Sequence, residues 1–182
     1  MKDQDIQMLV NCAGFGLCGF FTETSLEKEM EMIDTNIKAV HILTKLFLQD
    51  FMLKNKGYIL NVASIAGFFS GPLMATYYAT KNYVISMTGA IYEELKRRGS
   101  NVKISAFCPG PVDTEFNRVA HVKFSSAPID SKTAATAALD GVMQGKLYVV
   151  PTVKMKALKV VKRLLPDKTI THFCYKFQKK KR

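Results

Sequence analysis

The chain has 182 residues, of which 48% are hydrophobic and 23% are charged, and this composition excludes disordered, collagen-like and small disulfide-dense proteins. Its net charge of +11 is concentrated at one end, because residues 151–182 contain 11 Lys and Arg and one acidic residue, whereas residues 1–150 are nearly neutral. This distribution excludes a domain that binds nucleic acid through its whole surface and divides the chain into a domain at 1–150 and a basic C-terminal segment at 151–182.

The first predicted elements are a strand and a long helix. Residues 8–10 form a short apolar run that leads into a glycine turn at 11–14, which predicts a buried strand. Thr24 or Ser25 can cap a helix that apolar residues at three- and four-residue steps extend to about Leu53. A strand followed by a helix is the first part of a βα unit.

Strands and helices continue to alternate along the rest of the chain. Strands are predicted at 57–64, 101–107 and 146–150, helices at about 75–98 and 131–144, and an irregular segment at 111–130. The continuous apolar character of the second strand is typical of a sheet that is covered on both faces. The alternation predicts an α/β fold with a parallel sheet between helix layers.

Three glycines after the first strand match a phosphate-binding pattern. Gly14, Gly16 and Gly19 have the spacing G-x-G-x-x-G. In that motif the third glycine opens a helix, and an acidic residue ends the next strand about 20 residues later. Here the helix is predicted to begin near Ser25, and Asp34, 20 residues after Gly14, lies inside it. A turn after a strand is therefore favoured, and a phosphate site stays the alternative.

One tyrosine–lysine pair has the surroundings of a catalytic group. Tyr77 and Lys81 are four residues apart on a predicted helix, so they share a face. A nearby ammonium favours the phenolate and lowers a tyrosine pKa from about 10, which makes the tyrosine a usable acid/base. Two other pairs have this spacing, at 92/96 and 175/179, but only Tyr77 has a serine, Ser64, 13 residues earlier at the end of a predicted strand. Sites in parallel sheets form at that end.

Five short motifs occur in a characteristic order. They are NCAG at 11–14, Asn36, Ser64, YYATK at 77–81 and PGPVDT at 109–114. In order and spacing they resemble the short-chain dehydrogenase/reductase family, up to about Pro151. The resemblance implies a Rossmann-like α/β fold. Because the family's domain begins with a strand, a glycine-rich turn, a helix and two further βα units, we expect the chain to start at the fourth strand and to lack the first βαβαβα portion.

The resemblance implies a role for each matching position. Tyr77 would exchange a proton with the substrate oxygen, Lys81 would lower the tyrosine pKa and hold the nicotinamide ribose, and Ser64 would orient the same oxygen. Asn36 would hold a water that relays the proton, which depends on a local distortion of its helix. The other cofactor contacts would be Asn11, Ala13, Gly14, Pro109, Gly110, Val112 and Thr114. Ser64 as a strand-end cap and Asn36 as a tolerated polar helix residue stay open.

The implied activity is the interconversion of a carbonyl and a hydroxyl group by hydride transfer, with NADP favoured over NAD as cofactor. The alternative is a non-catalytic remnant or an interaction module. Apolar residues of two loops could line a pocket for a lipid-like, steroid or acyl carbonyl, or could be ordinary packing: Phe68, Phe69, Phe116, Val119 and Phe124. Three scattered histidines give no metal site. A homo-oligomer is one of the expected arrangements.

The basic segment has apolar residues at helical steps, with lysines between them: Val153, Ala157, Leu158, Val161, Leu164 and Leu165. This pattern predicts either a helix that lies on an anionic membrane or a partner, or a helix that covers the domain with a solvated lysine face. Four cysteines without CxxC spacing indicate a reducing compartment, and no apolar run suits a membrane span or a signal peptide. We expect a cytoplasmic protein, either free or peripheral to a membrane.

Overall fold

The computed structural model describes residues 5–120 and 127–179. Its centre is a sheet of four strands, β1 (Met8–Asn11), β2 (Tyr58–Val62), β3 (Lys103–Phe107) and β4 (Tyr148–Val149), in the order β1-β2-β3-β4. All three neighbouring pairs are parallel. Their carboxyl ends therefore meet at one edge of the sheet, and the predicted α/β class is confirmed.

Helices cover both faces of this sheet. They are α1 (Leu26–Ile33), a π-helical segment (Asp34–Ala39), α2 (Val40–Lys54), a 3-10 helix (Ile65–Phe68), α3 (Ala75–Arg97), α4 (Phe116–Val119), α5 (Ser131–Met143), α6 (Val153–Leu164) and α7 (Asp167–Lys179). Helices α2 and α3 pack on the sheet, as does α5, and the buried residues of α5 form a cluster separate from those of α2 and α3. The sequence did not predict α4, which is too short to show a helical period, or α7.

The long helix predicted from Ser25 to about Leu53 is continuous but not uniform. Ser25 caps its first turn, because the Ser25 side chain accepts a hydrogen bond from the Lys28 N–H at 3.3 Å. Asn55 ends it in a left-handed conformation with φ of 47°. Between α1 and α2 the π-helical segment widens one turn. The local distortion expected around Asn36 is therefore present.

Two apolar layers hold the helices to the sheet. On the side of α2 and α3, Phe51, Ile59 and Ile104 are almost completely buried. On the side of α5, Leu60 and Val142 belong to the cluster that joins that helix to the strands. Burying each of these large side chains stabilises the fold by about 1.5–3 kcal/mol.

The last two helices, α6 and α7, form what we call the C-terminal helix pair. Of its described residues, Met155, Ile170 and Gln178 are buried. Lys159 fixes α6 to the domain, because its Nζ lies 4.0 Å from the ring centroid of Tyr148 and 4.6 Å from that of Phe68. Within the described parts of the chain, no helix combines the length and apolar composition needed to cross a membrane.

Candidate functional site

The predicted catalytic side chains meet at the carboxyl end of β2. Ser64 follows that strand and caps the 3-10 helix, its Oγ accepting a hydrogen bond from the Ala66 N–H at 3.1 Å. Tyr77 lies in the first turn of α3 and has a hydrogen-bonding interaction with the Ser64 side chain. Lys81, one turn further along α3, donates a hydrogen bond to the Val62 carbonyl at 2.9 Å. Ser64 therefore acts as a cap and also faces Tyr77.

A close approach between two elements fixes the distance from Ser64 to Tyr77. Gly67 of the 3-10 helix lies so near α3 that a Cβ on it would stand 2.5 Å from the Lys81 carbonyl oxygen. The Asn82 side chain donates a hydrogen bond to the Gly67 carbonyl at 2.9 Å. The loop that carries Ser64 is therefore held directly on the helix that carries Tyr77 and Lys81.

Burial controls the acidity of Tyr77. Loss of hydration raises the pKa of the Tyr77 phenol to about 12, and the interaction with Ser64 lowers it only in part. The spacing of Tyr77 and Lys81 predicted a lowered pKa of the phenol from the charge of Lys81. In the structure the Lys81 Nζ lies 6.0 Å from the Tyr77 ring centroid. The pKa moves in the opposite direction because the desolvation of the phenol is the larger effect.

Lys81 is itself buried, with 6% of its surface exposed. Burial lowers the pKa of its ammonium from 10.5 to about 8, because the charged form loses its hydration. The ammonium faces Gly14, where a Cβ would stand 3.3 Å from the Lys81 Nζ. This glycine therefore leaves the lysine open toward the loop after β1.

Asn36, on the π-helical segment, is completely buried. Its amide nitrogen donates hydrogen bonds to the Phe15 carbonyl at 2.9 Å and to Thr80 Oγ1 at 3.1 Å, and its Oδ1 accepts one from the Phe15 N–H at 3.1 Å. Both amide donors are in use, so the side chain can add only one more acceptor contact. The geometry is that of a clamp between the loop after β1 and α3, and the water relay stays a prediction.

The side chain of Asn11 belongs to a buried polar network that the sequence analysis missed. It donates hydrogen bonds to Asn61 Oδ1 at 2.8 Å and to Thr44 Oγ1 at 3.1 Å, and Asn61 donates to Thr88 Oγ1 at 3.0 Å. The network joins β1 and β2 to α2 and α3. An asparagine inside the apolar strand at 58–62 was the available signal, because a buried amide requires partners. Ala13 is exposed and, like Asn11, is not part of the cavity wall described next.

A cavity of about 1310 Å³ opens beside Tyr77, Ser64 and Lys81. Its wall includes most of the predicted cofactor contacts, namely Gly14, Pro109, Gly110, Val112 and Thr114. It also includes three of the predicted pocket residues, Phe69, Phe116 and Val119. Phe68 instead contacts Lys159, and Phe124 lies outside the described residues. The C-terminal helix pair contributes residues from both α6 and α7 to the wall, and polar atoms are few, as in many ligand pockets.

Within the glycine pattern at 14–19, Gly16 and Gly19 serve packing. Helix α1 begins at Leu26, well after Gly19. A Cβ on Gly16 would stand 2.9 Å from the Phe116 ring, and the Gly19 N–H donates a hydrogen bond to the Leu73 carbonyl at 2.8 Å. The interpretation as a turn is confirmed, because no helix N-terminus stands at the third glycine.

Comparisons with known proteins agree with the geometry. The family model for short chain dehydrogenase matches residues 2–123. The chain is 31% identical over 159 residues to a ketoacyl reductase of Nostoc sp., covering 86% of this chain and 51% of that protein. It is 36% identical over 109 residues to an uncharacterized oxidoreductase of Staphylococcus epidermidis, covering 60% of this chain and 46% of that protein. The chain thus spans about half the length of the curated relatives it matches.

Solved structures share the fold. A short-chain dehydrogenase from Sphingobium yanoikuyae in complex with NADPH has a TM-score of 0.77 at 25% identity, covering 89% of this chain and 65% of that one. A 7beta-hydroxysteroid dehydrogenase has a TM-score of 0.81 at 19% identity, covering 95% of this chain and 68% of that one. These likenesses confirm the predicted Rossmann-like architecture.

Proposed function

Because the chain belongs to the short-chain dehydrogenase family, we propose that it interconverts a carbonyl and a hydroxyl group by hydride transfer with NADP or NAD. The observation that carries this proposal is the meeting of Tyr77, Ser64 and Lys81 on the wall of one cavity. Residues 1–150 supply this site, and residues 151–182 supply part of the cavity wall.

Two hydroxyl groups are available to the reacting oxygen. A carbonyl oxygen gains negative charge as hydride reaches the carbon, so donors aimed at that oxygen lower the barrier. Because Ser64 Oγ accepts its hydrogen bond from the Ala66 N–H, its own hydrogen can be donated to the Tyr77 phenol or, with substrate bound, to the substrate oxygen. Tyr77 would donate the proton that completes the alcohol, and Ser64 would orient the oxygen.

Tyr77 is in the protonated form that the reduction of a carbonyl requires. A phenol whose pKa is raised to about 12 stays protonated at neutral pH, and so it can give its proton to an oxygen that becomes strongly basic. Removal of a proton from an alcohol, the reverse direction, requires the phenolate form of Tyr77. A charged Lys81 would favour that form. Asn36 would act as a positioning residue, through the backbone at Phe15 that it clamps.

The cofactor would supply the hydride. Lys81 would donate hydrogen bonds to its ribose, and the bare backbone at Gly14 would leave room beside that lysine. Other wall residues would contact the nicotinamide end: Pro109, Gly110, Val112 and Thr114. The NADPH complex of the Sphingobium yanoikuyae relative supports a nicotinamide cofactor. Asn11 would contribute only backbone atoms, since its side chain is bonded to Asn61 and Thr44.

The substrate would be a carbonyl compound with an apolar, lipid-like body. Most side chains of the cavity wall are apolar, and Phe69, Phe116 and Val119 lie on the same wall as Tyr77. The Nostoc relative is named for a ketoacyl compound, which has this character. An apolar substrate body would move from water into the cavity and exclude water from it. Exclusion of water strengthens the polar contacts to the reacting oxygen.

The test is the reduction of apolar ketones by the purified chain with NADPH. We expect Tyr77→Phe to lower kcat by about 10²- to 10⁴-fold. Tyr92→Phe is the matched control, because Tyr92 has the same spacing to a lysine but lies away from the cavity, and its turnover should be unchanged. Equal turnover by Tyr77→Phe and the native chain would contradict the assignment.

A second candidate function is an interaction module that acts through its C-terminal segment. It is favoured by the apolar residues that the C-terminal helix pair exposes, among them Val153 and Leu164. Titration of the chain with NADPH, followed by nicotinamide fluorescence, distinguishes the two functions. Binding of NADPH supports the oxidoreductase. Failure of a folded sample to bind NADPH supports the interaction module.

A further inference from the structure

Helix α6 carries apolar residues on two faces. Its inner face lines the cavity with Met155, Leu158 and Val161. Its outer face carries a second set, Val153, Val160 and Leu164, which are 80%, 58% and 77% exposed. Steps of seven and four residues place the outer set on one stripe of the helix. We call these three residues the outer stripe, and exposures this high mean that no residue in the described part of the chain covers it.

Helix α7 exposes an aromatic residue in the same way. Phe173 is 59% exposed, although it also borders the cavity. Because Phe173 borders the cavity and is also exposed, it lies where the cavity meets solvent. Large apolar residues exposed on both helices of the pair indicate a binding surface.

The charges of the C-terminal helix pair are almost all positive. Lys156 and Arg163 are exposed on α6, and Lys168, Lys176 and Lys179 on α7. Asp167 is the one acidic residue of the segment, and it pairs with Lys162 at 3.4 Å. The surface therefore combines protruding apolar side chains with an excess of cations.

These charges decide between possible occupants of the surface. A second copy of the chain would bring two cationic segments together, and their repulsion disfavours that contact. An anionic bilayer satisfies both features, because apolar side chains enter the interface while lysines and arginines meet the lipid phosphates. A helix pair that is too short and too charged to cross a membrane can lie on its surface.

We propose that the C-terminal helix pair docks on an anionic lipid bilayer, with the outer stripe and Phe173 inserted at the interface. The cavity opening beside Phe173 then faces the lipid. As a consequence that rests on the proposed function, an apolar substrate would pass from the bilayer to Tyr77 without crossing water.

The test is cosedimentation of the full chain with vesicles of phosphatidylcholine, with and without phosphatidylglycerol. We expect binding only with phosphatidylglycerol, weakened by salt. Each neutralised cation in Lys156→Gln/Arg163→Gln should lower binding about fivefold, and Leu164→Ser should lower it severalfold. The matched controls are Lys132→Gln for charge and Leu53→Ser for exposure, and both should bind like the native chain. Losses in the controls equal to those in the α6 variants would overturn the proposal.

Tryptophan fluorescence measures insertion of the helix pair into the bilayer directly. The chain contains no tryptophan, so Phe173→Trp and Leu53→Trp each provide a single probe. Emission of the first should shift to the blue with anionic vesicles, and emission of the second should not. Equal binding to neutral vesicles, or a dimer in solution that Leu164→Ser dissociates, would overturn the proposal. NADPH titration of Leu164→Ser, unchanged from the native chain, separates this result from a failure of the proposed function.

Discussion

At the scale of single residues, Lys81 is a lysine whose ammonium loses its hydration when the chain folds. Its ammonium is buried, and burial lowers its pKa to about 8. In the unfolded chain the lysine keeps its ordinary pKa near 10.5. Between these two values the unfolded lysine holds a proton that the folded lysine has released. Stability must therefore rise with pH across this window, the reverse of the usual behaviour of a lysine in an ion pair.

We predict a difference between the native chain and Lys81→Met that depends on pH. From pH 7 to pH 9.5 the free energy of unfolding of the native chain should gain about 2 kcal/mol relative to the variant. Urea denaturation at the two pH values measures this, and other titrating groups cancel in the comparison. Lys96→Met, which removes an exposed lysine of the same helix, should show no such difference. A native chain that loses stability relative to Lys81→Met over this range would contradict the prediction.

The proximity of Tyr77, Lys81 and Ser64 was predictable because the three residues are close in sequence. Spacing alone brought Tyr77 and Lys81 to one face of a helix, and strand position brought Ser64 to them. The direction of the Tyr77 pKa was not predictable, because it depends on how completely distant segments exclude water. Asn11 shows the same limit, since its bonds to Asn61 and Thr44 join residues far apart in the chain.

At the scale of elements, the site depends on how closely the 3-10 helix approaches α3. Gly67 allows this approach, because a Cβ there would meet the Lys81 carbonyl oxygen at 2.5 Å, and backbone cannot easily move aside. We predict that Gly67→Ala lowers the free energy of unfolding by about 1–3 kcal/mol and lowers kcat by displacing Ser64. Urea denaturation and the ketone assay measure the two effects.

Gly99→Asn is the control for this prediction. Gly99 has φ of 60°, and a Cβ on it would have no atom of the described residues within 4 Å. Asparagine tolerates this backbone conformation. Its effect on stability should be small, with turnover unchanged. If Gly67→Ala matched it in both measurements, the close approach would not be what positions Ser64.

The predicted and observed ends of an element agree where its apolar pattern is distinct. Helix α3 and strand β2 agree with their predicted ranges to within two residues at each end. The π-helical segment could not be read from periodicity, because the apolar residues of α1 and α2 continue through it. Helix α7 lacked a distinct signal, since its polar and apolar residues resemble those of an exposed tail.

At the scale of the whole molecule, β1 lies at the edge of the sheet. Among the described residues it pairs with β2 alone, and Val10 is 44% exposed. An open, apolar edge strand promotes association between copies. We predict that the 182-residue chain associates in solution and that Val10→Lys reduces this association, as measured by sedimentation velocity. Met143→Lys, at a residue 55% exposed on α5, is the control and should leave association unchanged.

The π-helical segment also has a consequence for how the chain tolerates change. A widened turn of this kind accommodates one extra residue within a single turn. The helices on either side therefore present the same faces to their neighbours as they would without that residue. Deleting one residue between Asp34 and Ala39 should therefore leave α1 and α2 against their present neighbours. The shortened helix would gain regular α-helical hydrogen bonds. Asn36 would no longer be positioned to bond the Phe15 backbone, so the loop at Phe15 would lose these hydrogen bonds. The extra residue thus serves the site at the expense of the helix.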